Sequence, residues 1–361
     1  MMKYFKEIEE PRRKNQVEHN LHEILIMTIW ALICDIHFWE EIADFAKINI
    51  EWFRNNVGLT LENGVASHDT FQRVFQLIKP EELEECFINW TKNIATKTKG
   101  DIVSFDGKAI CGSRDAKTKA THIVSAWSSD NQMTLGQVKV DKKSNEITAL
   151  PKLLELLDLK DCIITIDAMG TQKEIAKLIA ENNDYVLALK GNHGDLHEEV
   201  SFYFEQETVK NTHKTIDGNG GRVETREYFL ETNIDWITGK DHWVGLESIG
   251  MVRATVTKNE KTTVETRHFL STLTDVEDFA RAVRGHWGIE NSLHWRLDVI
   301  FKEDDARTRA GDSAQNLALV RKIAGNILHP LPLKKSLNFK RKKCLYDLSF
   351  RNSVLQSILN M

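Results

Sequence analysis

Three acidic residues in this chain have the surroundings expected of metal ligands. Asp106 follows an apolar run at 102–105, and Asp167 follows a second apolar run at 162–166. Glu290 lies in HWGIENSLHW, a segment with helical spacing. Carboxylates that leave neighbouring strands at one edge of a sheet can converge, and their oxygens are ligands that Mg2+ prefers. The three residues therefore predict a site that can hold two divalent cations.

Each of these residues also has an interpretation without such a site. Asp followed closely by Gly is a preferred turn sequence, so each aspartate alone fits a turn as well as a ligand. His286 and His294 lie one helical turn to either side of Glu290 and suggest zinc, although the HExxH order and an evident third ligand are missing. A further alternative is that this helix face, which also carries Leu297, only packs against the core and that Glu290 has no functional role.

The composition favours an ordinary globular protein of the cytoplasm. With 361 residues, 41% of them hydrophobic, the chain can form one large or two ordinary domains. No stretch is long and apolar enough for a transmembrane helix, and the N-terminus lacks a signal-type apolar core. Five widely spaced cysteines without a CxxC pair indicate neither zinc nor a disulfide framework. We expect no contact with membranes.

The net charge of −5 is unevenly distributed. Residues 321–361 carry nine Lys or Arg against one Asp, a local charge of +8, with a dense cluster at 340–343. Such a cluster can neutralise DNA phosphates, although a run of charges is more often a solvated surface. The C-terminal segment is thus a candidate DNA contact.

The first 95 residues have the pattern of a small helical bundle. Apolar stripes at helical spacing predict helices near 21–32, 39–45 and 68–78, the last capped by Ser67 or Asp69 and ended by Pro80. A bundle of this kind either binds DNA through a helix-turn-helix arrangement or only packs.

From residue 101 onwards the pattern changes to alternating strands and helices. Strands are predicted at 102–105, 122–127, 135–140, 162–166 and 185–189, with helices at 149–157 and 172–180. The order β-β-β-α-β-α-β predicts an α/β fold with a mixed sheet and an antiparallel edge. The ribonuclease H-like fold has this order, with its carboxylates on the first strand, the fourth strand and a late helix.

A long insertion separates this core from the helix that carries Glu290. Asp167 and Glu290 are 123 residues apart, far more than one crossover requires. Strand-like runs at 226–230, 242–248, 251–256 and 263–270 predict a β-rich unit there.

Several sequence blocks, in order along nearly the whole chain, resemble the DDE transposases of bacterial insertion sequences, in the branch that includes the H-repeat-associated proteins. Among them are SHDTFQRVF, SFDGKAICGS, TIDAMGTQKEIA, DYVLALKGNHGDL and RGHWGIENSLHWRLDVIFKEDDARTR. The resemblance implies that Asp106, Asp167 and Glu290 are the catalytic and metal-binding triad of a ribonuclease H-like core. It also implies two Mg2+ ions, for which Mn2+ can substitute, with Asp106 bridging both.

The implied activity is cleavage and strand transfer of double-stranded DNA at element ends and target, by a homodimer assembled on the DNA. The implied organisation is an N-terminal helical domain at 1–95 that is a candidate for DNA binding, a catalytic core at 96–190 and 275–330, a β-rich insertion at 191–274 and a basic tail at 331–361. Two rival activities are a nuclease of the same fold without strand transfer, and an inactive DNA-binding protein derived from a transposase.

Six basic residues are candidates for phosphate contacts, each with a solvated or salt-bridged surface charge as the alternative. They are Lys108, Lys190, Arg222, Arg226, Arg284 and Arg296. Trp287 and Trp295 are candidates for stacking on an unpaired base, with core packing as the alternative.

Four positions depart from relatives of the family. A Tyr-x2-Arg-x3-Glu-x6-Lys signature found elsewhere in the superfamily has His286 at its Arg position and Leu297 at its Lys position. Nearby arginines are candidates to replace those contacts. His193 stands where a Gln usually follows KGN, and Gly220 stands where a His usually precedes Gly-Arg. The triad itself is unaffected by these differences.

Overall fold

A mixed sheet organises the fold, which the computed structural model describes over residues 2–96, 99–114, 119–140, 146–219 and 221–360. The nine strands within these ranges follow the spatial order β3-β2-β1-β4-β5-β9-β8-β7-β6. They are β1 Ile102–Ile110, β2 Thr121–Ser128, β3 Met133–Lys139, β4 Ile163–Ile166, β5 Asp184–Leu189, β6 Thr212–Asn219, β7 Arg222–Glu231, β8 Ser248–Lys258 and β9 Lys261–Ser271.

Helices precede the sheet, cover both of its faces and follow it. They are α1 Met2–Phe5, α2 Leu21–Ile33, α3 Trp39–Ile48, α4 Ile50–Trp52, α5 His68–Leu77, α6 Pro80–Ile94, α7 Glu146–Leu157, α8 Lys173–Ala180, α9 Gly194–Gln206, α10 Val276–Gly288, α11 Ser313–Leu328, α12 Leu337–Tyr346 and α13 Leu348–Asn360. Within the described ranges, none of them combines the length and apolar character needed to cross a membrane.

The predicted α/β fold with a ribonuclease H-like mixed sheet is confirmed. Strands β1, β2 and β3 are antiparallel, whereas β1, β4 and β5 are parallel. Every residue of β4 is buried, as expected for a parallel strand covered on both faces. Odd-numbered residues of β1, such as Val103, pack towards α7 and α8, and even-numbered ones, such as Ile102, pack towards α10.

The prediction that β1 stops at Asp106-Gly107 is wrong. The strand leaves its parallel partner β4 after Phe105 but stays paired with β2 as far as Ile110. Asp106 pairs with Ser125 of β2 and is therefore not in a turn. The predicted end of the strand before the second aspartate is confirmed, because β4 ends at Ile166 and a turn follows at Asp167.

The insertion extends the core sheet through the pairing of β5 with β9. Three of its predicted strands lie within β7, β8 and β9, and β6 was not predicted. The predicted strand at 242–248 is wrong: a 3-10 turn and a loop precede β8, which begins only at Ser248. Gly239 and Gly245 have left-handed backbone angles that break a strand, and the apolar side chains of this run anchor the loop to the core.

The predicted N-terminal helices are present as α2, α3 and α5, and the side chain of Ser67 caps α5. Pro80 ends that segment and also begins α6, where proline is tolerated in the first turn. Helix α2 is covered on almost all sides, because it packs against α3 and α11. Its residues therefore belong to a shared core that also contains Leu293 and Leu297, close to Glu290.

The basic C-terminal segment is not a free charged surface. Lys340 is buried and donates hydrogen bonds to three backbone carbonyls at the end of α11. Arg341 is fully buried and Arg351 is 2% exposed. Lys343 pairs with Asp347, and Lys342 is exposed. Most of the cluster at 340–343 therefore anchors α12 and α13 to the rest of the protein.

Arg341 joins three separate parts of the chain. Its guanidinium donates to the carbonyl of Leu32 at 2.7 and 2.9 Å and to the carbonyl of Ile300. It also pairs with Asp35 at 3.0 Å and lies 4.2 Å from the centre of the Phe301 ring. The N-terminal helices, the segment after Glu290 and α12 therefore meet at this one side chain.

We predict that Arg341→Met lowers the free energy of unfolding by about 3–5 kcal/mol, because buried carbonyls and a carboxylate lose their partner. Urea unfolding followed by circular dichroism measures the change. Lys342→Met is the matched control, since Lys342 is exposed, and it should stay within about 0.5 kcal/mol of the wild type. Equal stability of the two variants would contradict the anchoring role.

Candidate active site

Asp106 and Asp167 lie side by side at the edge where β1 and β4 separate. The last parallel pair of the two strands is Phe105 with Ile166, and each aspartate is the next residue. Neighbouring strands are about 4.8 Å apart, so the two Cα atoms are held at nearly that spacing. The predicted convergence of the two aspartates is therefore a direct consequence of strand register.

Backbone amides orient both carboxylates. The amide of Gly107 donates to Asp106 Oδ1 at 2.9 Å, and the amide of Gly170 donates to Asp167 Oδ1 at 3.1 Å. The loop after β5 supports the Asp167 turn, because Asn192 donates to the carbonyl of Ala168. One oxygen of each aspartate is thus fixed by the main chain.

The electrostatics of the site favour a cation. Burial, followed by the negative charge of Asp167, raises the pKa of Asp106 to about 7, and the charges of Glu146 and Glu290 act in the same direction. Burial, followed by the charge of Glu146, also raises the pKa of Asp167. Positive charge nearby would relieve this repulsion between carboxylates.

Glu290 lies on a helical segment that is wider than an α-helix. Helix α10 ends at Gly288, and π-helical turns follow at Ile289–His294 and Arg296–Ile300. The segment around Glu290 is therefore helical, as its spacing predicts, but it is not a regular α-helix from residue 289 onwards. A π-helical turn changes the direction of the following side chains, and such turns are frequent at functional sites. Here the side chain of Glu290 is exposed.

A buried polar link holds α10 on the strands that carry the aspartates. His286 Nδ1 lies 2.9 Å from Thr165 Oγ1, and that hydroxyl donates to Ser104 Oγ at 2.9 Å. Thr165 and Ser104 are each two residues before an aspartate, and His286 is four residues before Glu290. The link therefore fixes the position of α10 against β1 and β4, close to the residues that carry the carboxylates.

The structure excludes the zinc interpretation of His286, Glu290 and His294. The ring of His286 is bonded to Thr165, whereas His294 Nδ1 lies 3.5 Å from Asp106 Oδ2. The two rings therefore make contacts at different places, although burial lowers the pKa of both to about 4 and leaves them in the neutral form that zinc binds. Among the described residues, no three His, Cys, Asp or Glu side chains surround one point closely enough to ligate a single ion.

Glu146 is a further carboxylate at this site and had no predicted role. It begins α7 and is buried, with Oε1 2.8 Å from His122 Nε2. Its charge acts on both aspartates, as the pKa shifts show. The sequence signal was weak, since a glutamate in the first turn of a helix is ordinary.

A divalent pair fits these residues by donor type. The donors are carboxylate oxygens, which hard cations take, and two carboxylates per ion with water would suffice. His294 Nδ1 lies 3.5 Å from Asp106 Oδ2 and adds a polar atom beside that carboxylate. Asp106, Asp167 and Glu290 are thus suited to hold the predicted ions.

Two of the six residues predicted to contact phosphates are largely shielded from solvent. Lys108 is enclosed by Asp298, Glu303 and Asp304 at 2.7 to 3.4 Å, and its side chain is only 12% exposed. Arg296 is partly buried, with its guanidinium 5.6 Å from the centre of the Trp127 ring. Both residues brace the segment that follows Glu290 against the strands.

Three of the predicted contacts line one groove of about 330 Å³ between α10 and the inserted strands. They are Arg222, Arg226 and Arg284. Arg267 also lines it, with its guanidinium 4.5 Å from the centre of the Trp287 ring. Nearby acids pair with these cations, and the closest pairs join Arg226 to Asp217 and Glu224. We call this the arginine groove.

The remaining candidates lie around the mouth of the site. Lys190 is exposed at the end of β5, and its positive charge lowers the pKa of Asp167, against the larger effect of burial. Trp295 is 53% exposed, so it is not a core residue. His193 takes part in the loop contact, with Nε2 2.6 Å from the carbonyl of Thr171. Gly220 lies outside the described residues.

Comparison with known proteins agrees with this geometry. The family model described as "Transposase DDE domain" matches residues 95–327, and the model "DDE_Tnp_1-associated" matches residues 2–91. The H repeat-associated protein YhhI of Escherichia coli K12 is 36% identical over 98% of this chain and 97% of its own length. YncI of Escherichia coli O157:H7 is 38% identical over 99% of this chain and 94% of its own.

Among solved structures, a chain of the piggyBac transposase synaptic complex with hairpin DNA aligns with 99% of this chain and 77% of that chain, at 12% identity and a TM-score of 0.45. The family match covers the two aspartates, the glutamate and the strands that hold them. The chain therefore belongs to the DDE transposase family, in the branch of the H-repeat-associated proteins.

Proposed function

We propose that this transposase cuts DNA at the ends of an insertion sequence and joins the freed ends to target DNA, with divalent cations as cofactors. The observation that carries the proposal is the placement of Asp106 and Asp167 side by side where two adjacent strands separate. The charge of Glu290 acts on the Asp106 carboxylate. A site with uncompensated carboxylates at the open edge of a sheet suits phosphodiester chemistry assisted by metals.

Asp106, Asp167 and Glu290 would hold two Mg2+ ions, which Mn2+ can replace. When bound, such a pair activates the attacking oxygen on one side of the phosphorus and stabilises the leaving oxygen on the other. The protein's contribution is to fix the carboxylates: the strand register sets the two aspartates, and the His286–Thr165–Ser104 link sets the helix of Glu290. The neutral imidazole of His294 contacts Asp106 without neutralising its charge.

Two successive displacements at phosphorus account for the activity. In the first, water attacks the phosphodiester at the element's end, and the bond to the 3′ oxygen breaks to leave a free 3′-OH. In the second, that hydroxyl attacks a phosphodiester of the target, so that one P–O bond forms as another breaks. Neither step requires a covalent bond between DNA and protein.

The arginine groove is the proposed path for DNA next to the site. It runs beside α10, the helix that leads into Glu290, and four arginines face it. Their acidic partners hold them in place until phosphates compete for the guanidinium groups. Lys190 is exposed, its charge acts on Asp167, and it is suited to contact the cleaved strand. Trp295 is exposed and available to stack on an unpaired base. We propose that two copies of the chain assemble on the paired element ends.

We predict that Asp106→Asn abolishes Mg2+-dependent cleavage of element-end DNA and leaves DNA affinity within about twofold, because the fold and the arginine groove are untouched. Cleavage of a labelled duplex on a denaturing gel and fluorescence anisotropy measure the two quantities. Asp241→Asn removes an exposed aspartate away from the site and should cut like the wild type. Cutting by Asp106→Asn at the wild-type rate would refute the proposed triad.

A precut substrate separates transposase from nuclease activity. We expect an element end with a free 3′-OH to be joined to a second duplex in the presence of Mg2+, and the joined product to be absent with Asp106→Asn. Sequencing of the junction checks the join. Cleavage of uncut DNA without any joining of the precut end would instead assign a nuclease of the same fold.

We predict that Arg284→Gln weakens DNA binding and lowers the slope of log affinity against log salt by about one, as expected for the loss of one phosphate contact. Arg281→Gln is the matched control: it lies on the same helix and is similarly exposed, but it does not line the arginine groove. Anisotropy titrations at several salt concentrations give the slopes. Equal slopes for the two variants would remove the groove from the proposed DNA path.

A further inference from the structure

Glu146 reaches the aspartates from the face of the sheet opposite α10. Its helix, α7, packs on the face that contains Val103 and Phe105, whereas α10 packs on the face that contains Ile102. The edge where β1 separates from β4 is the place at which both faces become accessible. Two helices on opposite faces therefore each bring a glutamate towards the same pair of aspartates.

Gly107 makes room for this approach. A Cβ atom at position 107 would lie 2.1 Å from Glu146 Oε1 and 2.8 Å from His122 Nε2, far inside contact distance. The φ angle of Gly107 is not positive, so the backbone does not require glycine there. The glycine is instead explained by the carboxylate that lies directly against the backbone next to Asp106.

His122 holds the Glu146 carboxylate in place. Its Nε2 lies 2.8 Å from Glu146 Oε1, and it stands on β2 opposite Ala109 of β1. The Glu146 side chain is 10% exposed, so it cannot reorient freely into solvent. A helix-start glutamate whose only role is to favour the helix dipole would not need burial beside two other buried carboxylates.

We propose that Glu146 is a fourth carboxylate of the cation site, acting on the side of Asp106 and Asp167 opposite to Glu290. This inference rests on the proposed function, because it assigns a residue to the same metal pair. Glu146 lies directly against the backbone of Gly107, the residue that follows Asp106 in β1. Gly107 and His122 are its positioning residues.

The test is Mn2+ binding to the full chain without DNA, measured from the free-ion signal in electron paramagnetic resonance. We expect Glu146→Gln to weaken Mn2+ binding about tenfold or more, in the range seen when residues that support a metal site are changed. Glu155→Gln is the matched control, since Glu155 is an exposed glutamate on the same helix, and it should bind as the wild type does. Asp106→Asn reports on the site as a whole.

Gly107→Ala tests the same contact without changing any charge. The added methyl displaces the Glu146 carboxylate, so it should weaken Mn2+ binding, and combining it with Glu146→Gln should add little further loss. Wild-type affinity in Glu146→Gln together with weakened binding in Asp106→Asn would overturn this inference and leave the proposed function standing. Unchanged binding in Asp106→Asn would overturn both. Thermal unfolding confirms that each variant is folded.

Discussion

Repulsion between partly buried carboxylates is the constraint on which this structure depends. The register of β1 and β4 places Asp106 and Asp167 next to each other, and their partial burial limits the screening of their charges by water. Two like charges at strand spacing are costly unless a proton or a cation lies near them. The surrounding scaffold must therefore resist the tendency of this edge to open, and it must leave the edge accessible to a cation.

Contacts between residues next to the carboxylates hold this edge together. Thr165 bonds to Ser104 of the neighbouring strand and to His286 of α10, so that α10 is fixed before its π-helical continuation presents Glu290. His286 occupies the position where superfamily relatives have an arginine, and here it serves as a buried neutral link. On the other side of the aspartates, Lys108 and its three acidic partners tie the following segment to β1.

Positive charge is divided between structural and exposed positions. Arg341 and Arg351 are buried and join the C-terminal helices to the N-terminal ones, and the buried Lys340 joins them to the end of α11. Arg222 and Arg284 of the arginine groove are instead exposed, as is Lys190. The net charge of the chain therefore says little about its partner, because the densest basic cluster in the sequence is mostly internal.

The amino-acid sequence alone specified the order of the core strands and placed Asp106 and Asp167 after the apolar runs of the first and fourth, because apolar periodicity is a local property. It also determined the family, through ordered blocks around those residues. Only the tertiary structure decided the features that depend on distant segments. β1 continues past Asp106 because it pairs with β2. Glu146 lies next to Asp106 because α7 packs against the backbone at Gly107. Burial of the basic tail and the extension of the sheet by the insertion have the same cause, since both arise from contacts between residues far apart in the chain.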